Sequence, residues 1–285
     1  MPAKLIKGDK VAAHLYEEMA AELKDIYEDT GLMPGLAVII VGEDPASLSY
    51  VTNIEKRSKQ LGFDVVVHRL TVDVSEGDLL QLIDELNYND DVHGIMVQLP
   101  LPEHINPHVV QETVDPEKDV DGAHPINMGK LFSDEKGYIP STVHSVMQMI
   151  EFTRQPLYGK KAVLIGRSNI VGKPLSLLML RRNASLTICH SYTEDLPEIC
   201  READVLIAAT GKPGFVKEDW VKPGAIVIDV GVSQVDGKLV GDVDFAAVKN
   251  TAGWISPVPG GVGPITITML KWSTLEAFKK SIAAG

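Results

Sequence analysis

The string from Lys160 to Pro174, KKAVLIGRSNIVGKP, reads as a strand, a glycine turn and the start of a helix. Gly166 and Gly172 flank the turn. A dinucleotide fingerprint spaces three glycines as GxGxxG; here Ser168 stands at the middle position and the last glycine falls one residue late. The physics survives that change. A tight turn feeding a helix N-terminus offers N–H donors and the positive end of a dipole to a pyrophosphate. A site for NAD often carries an acid at the end of the next strand, where it holds the ribose hydroxyls. Here that strand ends at His190 and Ser191 with no carboxylate, and Arg167 sits in the turn itself. A cationic turn with no acid suits a 2′-phosphate, so NADP is expected rather than NAD. ATGKPGF (209–215) and DVG (229–231) end later strands with glycines, and such ends line the ligand crevice of an open parallel sheet.

Three other segments bring together an aromatic ring, an amide and carboxylates. ASLSY, followed by Lys56, comes after the first strand; VQLPLP ends the third; KDVDG puts Asp119 and Asp121 in a glycine loop. This set suits a flat heterocycle. Tyr50 is able to stack, while Gln98 and Asp121 bond donors and acceptors at the edge. Each also has a plain reading, as helix-face packer, strand-end amide and turn former. PVPGGVGPIT (257–266) holds three glycines and three prolines in ten residues, which points to a close approach of backbone to ligand. The eight histidines are scattered, and His104 and His108 lie in a proline-bounded loop without an HExxH pattern, so no metal is expected. No GxSxG, Walker or Cys/His arrangement points to nucleophilic or phosphoryl-transfer chemistry.

The elements that must position these residues follow from hydrophobic spacing. Val11, Leu15, Met19, Leu23 and Ile26 predict a first helix with Asp9 as N-cap. LAVIIVG is a strand buried on both faces. A helix over 46–61, the strand FDVVVHRL, a helix over 75–88 and the strand GIMVQLPL follow. Residues 102–140 read as loop and short helix, and STVHSVMQMIEF as a bridging helix. The alternation then restarts with KKAVLIG, GKPLSLLMLRRN, SLTICH, an acidic helix near 196–202, DVLIAATG and AIVIDVG, before an amphipathic helix over 264–282. The order predicts an α/β fold of two α/β domains flanking a cleft, the second a Rossmann-type domain with a parallel sheet.

Length and charge agree. A chain of 285 residues is about twice the usual single domain. With 27 Lys+Arg against 39 Asp+Glu, a net −12, it lacks the clustered cations that nucleic acid or an anionic membrane requires. Cys189 and Cys200 cannot staple a chain this long and read as reduced thiols, the N-terminus is charged before any apolar run, and the protein is expected in the cytoplasm.

Taken in order and spacing, VGEDPAS-x-x-Y, VQLPLP, PEKDVDG, GRSNIVGKP, ATGKPGF, VIDVG and PVPGGVGPIT resemble the methylenetetrahydrofolate dehydrogenase/methenyltetrahydrofolate cyclohydrolase family over essentially the whole chain. The resemblance implies NADP-dependent oxidation of 5,10-methylenetetrahydrofolate to the methenyl cation, then hydrolysis to 10-formyltetrahydrofolate. It implies a folate domain of residues 1–139 plus 266–285, a nucleotide domain of 140–265, and a homodimer formed through the latter. Tyr50, Gln98, Leu99, Pro100, Asp121, Gly260, Gly261, Pro264 and Thr266 would meet folate, with Tyr50, Gln98 and Asp121 in the catalytic cluster. Gly166, Arg167, Ser168, Ile170, Val171, Gly172, His190, Ser191, Thr210, Gly211 and Val232 would meet NADP.

Two departures bear on the chemistry. The family carries Tyr-x-x-x-Lys-x-Lys, with the first lysine catalytic; here Ile54 stands at that position and only Lys56 matches the second. Two residues along a helix is about 200° around its axis, so Lys56 should point away from the site. The family's Pro-Cys-Thr-Pro-x-Gly is Pro140-Ser-Thr-Val-His-Ser145 here. Dehydrogenase activity is therefore expected with cyclohydrolase activity in doubt. The alternatives are a catalytically impaired folate- or NADP-binding paralogue and an NADP-dependent dehydrogenase of another small substrate, against which DVDG and VQLPLP argue.

Overall fold

The computed structural model describes residues 2–284. In chain order the elements are β1 (Lys4–Leu5), α1 (Gly8–Thr30), β2 (Gly35–Val41), α2 (Pro45–Lys59), β3 (Asp64–Leu70), α3 (Glu76–Asn87), β4 (Gly94–Val97), α4 (Pro107–Thr113), α5 (Pro125–Phe132) and α6 (Ser141–Phe152). Then come β5 (Lys161–Ile165), α7 (Gly172–Arg181), β6 (Ser185–Cys189), α8 (Leu196–Arg201), β7 (Val205–Ala208), β8 (Ile226–Asp229), β9 (Ser233–Val235), β10 (Lys238–Val240), α9 (Phe245–Val248), β11 (Trp254–Ile255) and α10 (Val262–Ala284).

The chain divides into two compact units, Leu15–Ser141 with Ile267–Gly285, and Met1–His14 with Thr142–Thr266. The first holds a parallel sheet in the order β3-β2-β4. All seven residues of β2 are buried, as its unbroken apolar run predicts. Each helix start has a local cause. Asp44 caps α2 by accepting the Ser47 N–H at 2.8 Å, with Pro45 in the first turn, and Ser75 caps α3 through the Asp78 N–H. Helix α1 starts at Gly8, so Asp9 lies inside its first turn rather than capping it.

The second unit holds six parallel strands in the order β1-β11-β8-β7-β5-β6. The first fourteen residues, assigned from sequence to the 1–139 half, join this unit because Lys4 and Leu5 pair with Trp254 and Ile255. A two-residue strand has no periodicity to read. The β9–β10 hairpin was likewise outside the sequence reading. The last helix also differs from expectation: from Ile265 to Leu275 nearly every residue is buried, so it is a core helix rather than an amphipathic one.

Candidate functional site

At the carboxyl end of β5 the chain turns at Gly166, whose φ is +131°, and enters α7 at Gly172. A side chain at Gly166 would strike the Ala209 carbonyl, and one at Gly172 would strike the backbone of Gly166 and Arg167. Both glycines are therefore required by close backbone packing. The helix end is capped from within. Ser168 Oγ accepts the N–H groups of Val171 (3.2 Å) and Gly172 (3.3 Å), and Ser168 O accepts that of Lys173 (3.0 Å). The first-turn amides of α7, expected to face a pyrophosphate, are thus already bonded. Among the described residues, the N–H groups of Arg167, Ser168, Asn169 and Ile170 in the turn meet no protein acceptor. An anion fits there.

The end of β6 lies beside this turn in the sheet. His190 donates its N–H to Thr193 Oγ1 at 2.8 Å and accepts the Tyr192 N–H on Nδ1 at 3.2 Å. The Arg167 guanidinium sits 5.9 Å from the Tyr192 ring centroid. Arg167, Ser191 and Tyr192 are all exposed, which leaves a cation and a hydroxyl open to solvent. Tyr192 was not among the sequence-derived candidates. At the end of β7, the N–H groups of Thr210 and Gly211 point into a buried carboxylate, Asp242. Val232, beyond β8, is 59% exposed.

In the other unit α2 presents Tyr50 and Ile54 one turn apart. Tyr50 is half-buried; burial raises its hydroxyl pKa first, and the charge of Asp121 adds to this. Ile54 is fully buried in an apolar cluster with Val38, Val51, Met96, Val120 and Leu270. The position read as catalytic is therefore sealed in core in this chain. Lys56 is exposed, as its helical offset predicts.

Gln98 follows β4. Its N–H bonds the Ile39 carbonyl at 2.8 Å, and Nε2 donates to the Leu99 carbonyl at 2.5 Å. Its Oε1 is buried with no partner, an acceptor left for a ligand donor. Leu99 is half-buried and joined to the exposed Pro100 by a cis peptide bond.

The two aspartates of KDVDG separate in role. Asp119 is 4% exposed and holds the loop: Oδ1 accepts the Ala123 N–H, and Oδ2 accepts the His124 N–H and the Asn127 side-chain amide, at 2.8–3.0 Å. Asp121 is the functional candidate. Burial pushes its pKa to about 7, the Asp119 charge pushes the same way, and a hydrogen bond with Ser141 opposes both. Directly after Asp121, Gly122 adopts φ +67° where a side chain would collide with Ile139 and Pro140 backbone.

The 257–266 segment packs closely within its own unit. Its backbone approaches another part of the chain: Gly8 donates to the Gly260 carbonyl at 2.8 Å, and a side chain at Gly8 would strike the Gly261 carbonyl. Gly261 itself has no room beside the Pro257 carbonyl. Thr266 is buried, donating to the Val262 carbonyl at 3.3 Å and accepting from Ser145 at 3.4 Å, so its hydroxyl is engaged within the protein. Gly260 and Pro264 remain exposed or half-buried. Among the described residues no group of three or more His, Cys, Asp or Glu is placed to hold a metal, and no helix is long and apolar enough to cross a membrane.

Comparison with known proteins matches these two halves separately. Residues 6–121 match the family model described as tetrahydrofolate dehydrogenase/cyclohydrolase, catalytic domain, and residues 140–282 match its NAD(P)-binding domain. A bifunctional protein FolD of Cupriavidus taiwanensis is 51% identical over 286 residues, covering 100% of both chains. The crystal structure of the bifunctional methylenetetrahydrofolate dehydrogenase/cyclohydrolase FolD of Campylobacter jejuni superposes with a TM-score of 0.94 at 41% identity, covering 98% of this chain and 99% of that one. The Trypanosoma brucei enzyme, solved with NADP cofactor and inhibitor, gives 0.95 at 36% identity over 99% of each chain.

Proposed function

The chain belongs to the tetrahydrofolate dehydrogenase/cyclohydrolase family, and we propose that it oxidises 5,10-methylenetetrahydrofolate with NADP while hydrolysing the methenyl product poorly. The observation that carries the cofactor half is the turn from Gly166 to Gly172, with four acceptor-free amides and Arg167. Arg167 and Ser191 take the 2′-phosphate, the turn amides a pyrophosphate oxygen, and Thr210, Gly211 and Val232 line the path further along the strand ends. When bound, NADP supplies the hydride acceptor.

On the folate side, the chain's own groups orient the substrate. Tyr50 offers a flat face to the ring system, and Gln98 Oε1 offers its unpartnered oxygen to a ring donor. The Asp121 carboxylate accepts hydrogen bonds from the pterin edge. Orientation of this kind is most of what hydride transfer requires. Hydrolysis asks for more: a group must take a proton from attacking water and return one to the departing ring nitrogen. Ile54 has no proton to exchange, and exposed Lys56 faces elsewhere.

Two finer expectations, the homodimer and the cytoplasmic location, belong to the same reading. The open edge of the large sheet at β6, where Ile188 is 41% exposed, suits the homodimer through the nucleotide unit. Two free buried cysteines suit a reducing cytoplasm.

The test follows the two steps separately, NADPH formation from the methylene substrate and decay of methenyl absorbance. Oxidation with slow hydrolysis supports the reading. Tight binding of NADP and folate without oxidation would favour an impaired binding paralogue, which Ile54 also motivates.

A further inference from the structure

The carboxyl end of the six-stranded sheet carries two buried aspartates for which the proposed chemistry has no use. Asp229 ends β8 and is 3% exposed; Asp242 follows β10 and is fully buried. Asp242 Oδ2 accepts both the Thr210 N–H (2.5 Å) and the Gly211 N–H (3.1 Å). Asp229 Oδ1 accepts the N–H groups of Asp242 (2.9 Å) and Gly231 (3.1 Å), and its Oδ2 accepts that of Val243 (2.9 Å). The Asp229 N–H in turn donates to Ser256 Oγ at 2.7 Å, at the root of the 257–266 segment. Gly231 and Gly241 exist here to admit these groups: a side chain at the first would collide with the Asp242 carboxylate, and one at the second with that of Asp229.

We propose that Asp242, held in place by Asp229, is a positioning residue for the cofactor, fixing the Thr210–Gly211 backbone against which NADP lies. This rests on the NADP reading above. Three separate stretches of chain, at 210–211, 229–231 and 242–243, are tied through two carboxylates, and Ser256 joins them through the Asp229 N–H. No cation neutralises the pair within these contacts, so the carboxylates are held by backbone N–H donors alone. Such groups are kept where a backbone must be held still, because an unanchored loop would be ordered only when ligand binds.

The two acids differ in a way that makes the idea testable. Asp242 uses one oxygen; Oδ1 is buried with no partner. Asparagine fits there, its carbonyl accepting both N–H groups and its amide taking the empty side. Asp229 uses both oxygens, so asparagine would set an NH2 group against an N–H donor. Losing a buried acceptor in this way costs about tenfold or more in any equilibrium that needs the ordered loop.

The experiment measures the KM for NADP, kcat and the thermal midpoint for Asp242→Asn, Asp242→Ala and Asp229→Asn. Amide exchange at Thr210 and Gly211 is followed without cofactor. The expected result is Asp242→Asn close to wild type, with roughly tenfold or greater rises in the KM for NADP in the other two. Amide exchange should be faster in Asp242→Ala, and kcat should change little. If Asp242→Ala does not fold, the contrast between the two asparagine variants decides. A folded Asp242→Ala with wild-type KM for NADP, or equal effects of the two asparagine variants, would overturn the proposal. A wild type that binds no NADP would defeat the functional reading instead, and the exchange rates would still judge the clamp.

Discussion

The ammonium of Lys271, on α10, rests 3.9 Å from the ring centroid of Tyr16, on α1, and its Nζ donates a hydrogen bond to the Tyr16 hydroxyl. Lys271 is fully buried, and no carboxylate pairs with it among the described residues. Burial, and after it the charge of Arg57 on α2, lowers its pKa to about 7. The unfolded chain therefore holds more protons than the folded one between about pH 7 and 10.5. Stability must rise with pH across that window. The full span corresponds to something on the order of 4 kcal/mol. Lys271→Met removes the charge that has to be desolvated, at the cost of the Tyr16 hydrogen bond. The variant is expected to be the more stable at pH 7, with the advantage shrinking toward pH 10. Urea unfolding at several pH values checks it; parallel curves for both proteins would show that Lys271 does not titrate in this window.

On the proposed reading, Arg167 is expected to discriminate the cofactors. It is exposed beside Tyr192 at the end of the turn, with Ser191 near and no acid at that strand end. A charge-assisted hydrogen bond to phosphate contributes about 1.5–3 kcal/mol. Arg167→Ala should raise the KM for NADP about ten- to a hundredfold while leaving that for NAD nearly unchanged. Equal losses for both would remove the 2′-phosphate from this corner.

How far the sequence reached depends on the range of the interaction concerned. Strand β2 was legible because a run of apolar residues with no polar alternation has one stable place, the middle of a covered sheet. Helix α3 was legible because Leu79, Leu80, Ile83 and Leu86 recur at helical spacing. Strands β1 and β11, of two residues each, exist only through pairing with distant chain, so nothing local announces them. The site divides the same way. Gly166, Gly172, Tyr50, Gln98 and Asp121 stood out by type and place. Asp229 and Asp242 did not, although an acid inside the apolar string AIVIDVG and a second in GDVD was a visible signal. Lys271 in ITITMLKW was another: a lone cation in an apolar helix. What spacing could not show was that Ile54 lies in sealed core and that Thr266 is bonded within the protein.

On the proposed reading, Asp121 is expected to connect pH to folate binding. Burial raises its carboxyl pKa to about 7, so the protonated and ionised forms exchange in the neutral range. A protonated carboxyl has given up part of the acceptor capacity that the pterin edge requires. The KM for methylenetetrahydrofolate should therefore fall as pH rises from 6 to 8. Asp121→Asn should show a high KM with no such dependence and unaltered NADP binding. A pH-dependent KM that persists in Asp121→Asn would assign the titration to another group.

Ile54 offers the decisive experiment on the second reaction. A positioned proton carrier contributes about 10²–10⁴-fold to a hydrolysis of this kind. The wild type is expected to lack that factor, and Ile54→Lys to regain part of it. The structure adds a condition. Ile54 is fully buried, and its cluster includes Leu270, the neighbour of Lys271. Arg57, three residues beyond Ile54 on the same helix, already depresses the Lys271 ammonium. A second amine placed at 54 enters an apolar region that holds one buried ammonium without a carboxylate, and each charged form disfavours the other. Ile54→Lys alone should therefore lose stability and recover only part of the hydrolysis. Ile54→Lys combined with Lys271→Met should be more stable than Ile54→Lys and hydrolyse methenyl folate faster, a non-additive result that two independent sites would not give. Dehydrogenase turnover serves as the control, because orientation through Tyr50 and Asp121 does not need the amine. A wild type that already hydrolyses methenyl folate at the rate of Ile54→Lys would show that another group moves the proton.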